Sequence, residues 1–183
     1  MRAGRVILLA VGALGLGAGS AAADESFALF KRMCLDTDAD ATLALAAAES
    51  AGWGEIPAER LQELADATRT VGARGRIAAT PNGILVLMTG QSSDSDGQIV
   101  TDVCDVFGFR QTRIWDASPE IEQWVGLAPE RVEGPLKMWA YEIRDGRKVA
   151  PAAEGSLAVG YAILASSTPT NFRYELTRNR PAA

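Results

Sequence analysis

The sequence predicts an α+β fold: N-terminal helices packed on an antiparallel sheet of about five or six strands, with one short helix inserted between strands. Three observations predict it. From Glu25 to Thr70 apolar residues recur at helical spacing. From Arg76 onward the pattern changes to alternation and short apolar runs bounded by Gly, Pro, Asn and Asp. Strands do not alternate with helices, so a parallel βαβ sheet is not expected.

The N-terminus reads as a secretory signal peptide over 1–23, followed by a single domain over 24–183. Met1-Arg2-Ala3-Gly4-Arg5 is basic, Val6 to Leu16 is apolar, and Ala21 and Ala23 give an A-x-A exit before Asp24. The apolar run is interrupted by Gly12 and Gly15 and falls short of the roughly 20 residues a membrane span needs. No cysteine follows the cleavage site, and Arg2 and Arg5 are not adjacent, so neither a lipoprotein nor twin-arginine export is expected. The expected location is periplasmic or secreted, with no stable membrane anchor once the leader is removed. Removal of 23 of the 183 residues would leave 160, and loss of Arg2 and Arg5 would take the net charge from −5 to −7. So acidic a chain is repelled by nucleic acid, which is not expected as a partner.

Cys34 and Cys104 are the only two cysteines. In an oxidising compartment they are expected to form one disulfide. It would close a loop of about 70 residues, worth roughly 4 kcal/mol by chain entropy. No C-x-x-C is present, so no redox role is expected. The stretch Ile99–Phe109, IVTDVCDVFGF, reads as a strand, and the disulfide would pin the helical half to it.

Taken in order, Glu25 to Cys34 reads as a helix with Phe27, Phe30 and Cys34 on one face. Asp36 to Asp40 caps an alanine-rich helix that ends at Gly52. Pro57 opens a third helix, with Leu61, Leu64, Ala65 and Thr68 inward. Thr80-Pro81-Asn82-Gly83 is a hairpin turn. Ile84 to Thr89 is a strand apolar enough to be covered on both faces, expected to pair with the Cys104 strand. Ser118-Pro119-Glu120 starts a short helix whose stripe is Ile121, Trp124, Val125 and Ala128, with Pro129 as its end. Strands are expected over Lys137–Asp145, Leu157–Ile163 and Phe172–Thr177, with a frayed tail from Arg178.

The chain has no histidine. That removes the commonest general base, the Ser-His-Asp and Cys-His arrangements and most zinc sites. No catalytic residue, no metal site and no cofactor is assigned. Asp36, Asp38 and Asp40 imitate the start of a calcium loop, but Ala41 and Ala47 stand where glycine and a bidentate glutamate are needed, so a helix cap is expected. Asp94, Asp96 and Gly97 read as a solvated turn, as do Arg144, Arg147 and Lys148 around Asp145-Gly146. Asp102 and Asp105 flank Cys104, and three residues apart on a strand they face opposite sides; one is expected on a wet face and the other near Arg110 or Arg113. Of the four tryptophans, Trp124 and Trp139 read as core, while Trp53, in a Gly-flanked turn, and Trp115 are the candidate partner-binding residues.

Phe27-Ala28-Leu29-Phe30, Cys34 and the alanine-rich helix ending in Gly52-Trp53 resemble small exported proteins of Gram-negative bacteria. The resemblance covers the first third of the expected mature chain and implies no activity. The expected function is that of a disulfide-stabilised, non-enzymatic binding or accessory protein, its partner another periplasmic protein or envelope component. Two alternatives stand beside it. A histidine-free hydrolase would bring two carboxylates from different segments into a cleft, one with a raised pKa. A small-ligand binder would offer a largely apolar pocket.

Overall fold

The computed structural model describes residues 21–93, 98–152 and 160–182. The first twenty residues of the expected leader, the Asp94–Gly97 turn and the 157–159 part of an expected strand lie outside the described residues.

Helix α1 (Ala21–Phe30) continues as a π-helical turn, Lys31–Leu35. The wider turn sends Met33, Cys34 and Leu35 into the core. The Thr37 hydroxyl donates to the Met33 carbonyl at 2.7 Å and closes this segment. Asp38 and Ala39 then take left-handed backbone (φ 54° and 56°) and turn the chain into α2 (Ala41–Ser50). The Asp40 carboxylate accepts from the Thr42 and Leu43 amides at 2.8 and 3.0 Å, the cap that the acidic run predicts. Helix α3 (Ala58–Thr68) begins one residue after Pro57 and turns Ala65 inward, with Leu61, Leu64 and Thr68 half-buried. Helix α4 (Ser118–Val125) stops at Gly126, whose φ of 76° suits the left-handed cap. It therefore ends before Pro129, and Ala128, expected in its stripe, is exposed.

Among the described residues the sheet has nine antiparallel strands. In chain order these are β1 (Gly54–Glu55), β2 (Val71–Thr80), β3 (Gly83–Ser93), β4 (Ile99–Phe109), β5 (Arg131–Glu133), β6 (Leu136–Arg144), β7 (Arg147–Val149), β8 (Gly160–Ser167) and β9 (Phe172–Pro181). They are ordered β1-β2-β3-β4-β9-β8-β6-β5, with β7 also on β6. The six strands read from the sequence are β2, β3, β4, β6, β8 and β9. The three in excess of that expectation have two or three residues each, too few to show alternation. β4 has the bounds expected of it and lies between β3 and β9. The tail does not fray at Arg178: β9 stays paired with β4 through Arg180 and Pro181.

Each face of the sheet carries its own core. On one face Leu87, Cys104, Val106, Tyr174, Leu176, Ile163 and Trp139 pack with Phe30 and Met33, Ala44 and Ala48 of α2, and Ile121 of α4. On the other, Val86, Met88 and Phe107 pack with Ile56, joined by Leu61 and Leu64 of α3. Gly75 of β2 allows this second contact. A Cβ there would lie 2.4 Å from Ile56 Cδ1 and 2.6 Å from the Leu87 carbonyl oxygen, so only glycine lets the α3 region press this close.

Cys34 and Cys104 are bonded, their Cα atoms 5.5 Å apart, and both are fully buried. The bond joins the π-helical turn to the middle of β4. Replacing both by alanine is expected to lower unfolding free energy by about 4 kcal/mol, measured by urea denaturation of the oxidised protein against the double variant.

Candidate binding groove

Helix α3 is shorter than the sheet face it covers. Near the β2–β3 hairpin it leaves a groove of about 610 Å³. Ile77, Ile84, Val86 and Phe109 form the floor, and Ile56 and Leu64 flank it. These positions follow from register: Ile77 pairs with Val86, which pairs with Phe107, and Ile84 pairs with Phe109. Alternation therefore puts Ile77, Ile84, Val86, Phe107 and Phe109 on one side of three neighbouring strands. Phe107 and Phe109 stack with ring centroids 5.8 Å apart, and the Arg173 guanidinium sits 5.4 Å from the Phe107 ring.

The mouth is polar. Arg60 and Glu63, one turn apart on α3, pair with each other at 2.6 Å and are well exposed. Arg110 and Asn171 line the groove as well. Arg110 has left-handed backbone, φ 54°, and its amide donates to Asn171 Oδ1 at 3.2 Å. Among the described residues its guanidinium has no ion-pair partner.

Beyond Phe107 the same face carries two carboxylates from different strands. Asp105 of β4 and Glu175 of β9 are register partners and share Arg173. Arg173 donates to Asp105 Oδ1 and Oδ2 at 2.9 and 3.1 Å. Burial pushes the Asp105 carboxyl up, the Glu175 charge adds to this, and Arg173 offsets only part, leaving it at about 7. That is the carboxylate pair expected of a histidine-free hydrolase, but Asp105 is 0% exposed and neither acid lines the groove. With both oxygens accepting from Arg173, the Asp105 carboxyl is not presented to a substrate.

Asp102 faces the opposite way, as the spacing predicts, but neither aspartate uses Arg110 or Arg113, and neither is on a wet face. Asp102 accepts from Arg180 (2.9 and 3.2 Å), Arg178 (2.9 and 3.3 Å) and Gln91 (2.8 Å). Burial alone would raise its pKa; these donors outweigh burial and hold it at about 2. Arg178 also reaches Asp38 at 2.6 Å, tying the turn after the π-helical segment to the sheet. A cleft of about 370 Å³ opens beside this network, where Arg74, Arg178 and Arg180 face Asp40 and Asp102.

The tryptophans chosen from sequence go elsewhere. Trp53 is 8% and Trp115 6% exposed, both within the core on the disulfide side. The turn amide of Trp53 donates to the Ala48 carbonyl and folds the ring back under α2. Trp115 packs at a tilt against Phe172, with the Arg113 guanidinium over its ring. Both rings are buried, which corrects the expectation that they are exposed. Trp139 is fully buried, and Trp124 lies half-buried under Lys148. Arg144 is spent on Glu142, Asp36 on Lys31 and Asp38 on Arg178. Among the described residues no group of three or more acidic or cysteine side chains could hold a metal ion, and no helix is long and apolar enough to cross a membrane. The sequence reading missed the groove, although the alternation of Ile84, Val86, Phe107 and Phe109 carries its signal.

The chain matches no protein-family model, no curated protein sequence and no solved structure.

The two aspartates should respond oppositely to pH. Asp105 titrates near 3.8 unfolded and about 7 folded, so its contribution to stability is full below the first value and lost as pH rises towards the second. The advantage of wild type over Asp105→Asn should shrink between those values and be flat above about 7. Asp102 is depressed to about 2, so Asp102→Asn should cost about 1–2 kcal/mol at neutral pH, with the loss vanishing as pH falls towards 2. Chemical denaturation at several pH values reads both.

Proposed function

We propose that this is an exported, disulfide-stabilised protein that acts by binding, and that the groove between α3 and the sheet receives the apolar part of its ligand. The observation that carries this reading is the groove itself: an open concavity floored by Ile77, Ile84, Val86 and Phe109. Its volume lies within the roughly 300–1,000 Å³ typical of small-molecule sites. About ten residues line it, against the roughly 20–30 per side of a standard protein interface. The large exposed apolar residues Leu43, Val71, Ile114, Val132 and Ile143 belong to five different segments, none of them at the groove. This favours a small ligand over a protein partner docked on the same surface. Export rests on the Met1–Ala23 pattern, the resemblance to exported Gram-negative proteins, and a disulfide that oxidising conditions preserve.

The test uses the mature protein and the neutral fluorophore N-phenyl-1-naphthylamine. Saturable binding is expected, weakened about tenfold or more by Leu64→Gln, which keeps a good helix former at a half-buried α3 position. Unsaturable binding, or binding indifferent to this substitution, would remove the groove from consideration. Intact mass of the protein from its host should show loss of Met1–Ala23; a retained N-terminus would overturn export by a cleaved leader.

A further inference from the structure

We infer that the ligand of this groove is a free amphipathic carboxylate, a molecule with an apolar chain and one anionic end, and that Arg110 recognises the anion. The inference rests on the groove being a binding site and adds what its mouth selects. The floor and flanks supply only apolar surface, so they favour a chain without setting its orientation. The orienting groups are at the mouth. Of the two arginines there, Arg60 is neutralised by Glu63 at 2.6 Å, whereas Arg110 has no carboxylate partner among the described residues. A cation beside a concave apolar surface is complementary to an anion tethered to an apolar chain.

The position of Arg110 is built. Its left-handed backbone (φ 54°) is one that glycine or asparagine adopts more readily. It is fixed by the bond from its amide to Asn171 Oδ1 at 3.2 Å and by the next residue, whose Gln111 amide donates to the Thr170 carbonyl at 2.7 Å. With its oxygen engaged by Arg110, the Asn171 side chain keeps its NH2 group as a second donor at the mouth. A planar guanidinium beside a carboxamide NH2 offers donors to both oxygens of a carboxylate. A neutral alcohol of the same chain length would fill the floor equally but use one donor and no charge. A cationic amphiphile would be repelled.

The experiment measures displacement of N-phenyl-1-naphthylamine from the full mature protein by decanoate, 1-decanol and decyltrimethylammonium, each below its micellar concentration. The wild type should prefer decanoate to decanol by about tenfold or more, the equivalent of roughly 1.4 kcal/mol, and bind the cation most weakly. In Arg110→Asn, which retains a residue suited to left-handed backbone, the preference for decanoate over decanol should vanish, chiefly through lost decanoate affinity. Arg110→Lys should restore part of it. Equal binding of decanoate and decanol by the wild type, or a preference that survives Arg110→Asn, would overturn the role of Arg110 and leave the groove as an apolar site. Failure of the neutral probe and of decanol to bind at all would overturn the groove reading itself, and this inference with it.

Discussion

β4 is the strand on which the rest of the molecule depends. Every residue from Asp102 to Gly108 is buried, so both of its faces must find partners. On one face Cys104 is bonded to the π-helical turn and Val106 lies in the main core. On the other, Phe107 holds the smaller core under α3, and Asp105 is closed off with Arg173. A strand buried on both sides tolerates little change in register, because a slip of one residue would exchange the two faces. It would place Asp105 against the helices and Cys104 under α3.

The two aspartates show how burial can be met in opposite ways. Asp102 has five donor contacts from three side chains, and its charge is retained. Asp105 has one arginine, shares it with Glu175, and is driven towards its protonated form. Burying a charge is costly unless donors replace water; Asp105 is the more deeply buried and faces the Glu175 charge, whereas Asp102 is shallower and better supplied with donors. The Asp102 network also joins β4 and β9 to the Asp38 turn. It thus reinforces, through ionic contacts, the connection that the disulfide makes covalently four residues before Asp38 and two after Asp102.

The groove arises from a mismatch between element lengths. α3 has eleven residues and rests on β2 by way of Gly75. The apolar side of β2, β3 and β4 reaches further towards the hairpin than the helix does. A half-buried apolar floor remains, with Arg110 beside it on the loop that leaves β4. In open antiparallel sheets a face that is only partly covered is a natural place for a ligand to complete the core.

Local sequence alone determined much of this protein: the α+β order, six of the strands, the Asp40 cap, the opposite facing of Asp102 and Asp105, and the pairing of the only two cysteines. These depend on periodicity and on residues a few positions apart, which a single sequence displays directly. The tertiary structure decided what the charges and aromatics do. Asp105 meets Arg173 and Asp102 meets Arg178 and Arg180 because β9 returns to lie beside β4, across separations of 68 to 78 residues. Strand order leaves no local trace, so the sequence pointed instead to nearby Arg110 and Arg113. For the same reason Trp53 reads as exposed from its Gly-flanked turn and Trp115 from its place between the Cys104 strand and the short helix, whereas their burial comes from α2 and from Phe172, brought to them only by the folded sheet.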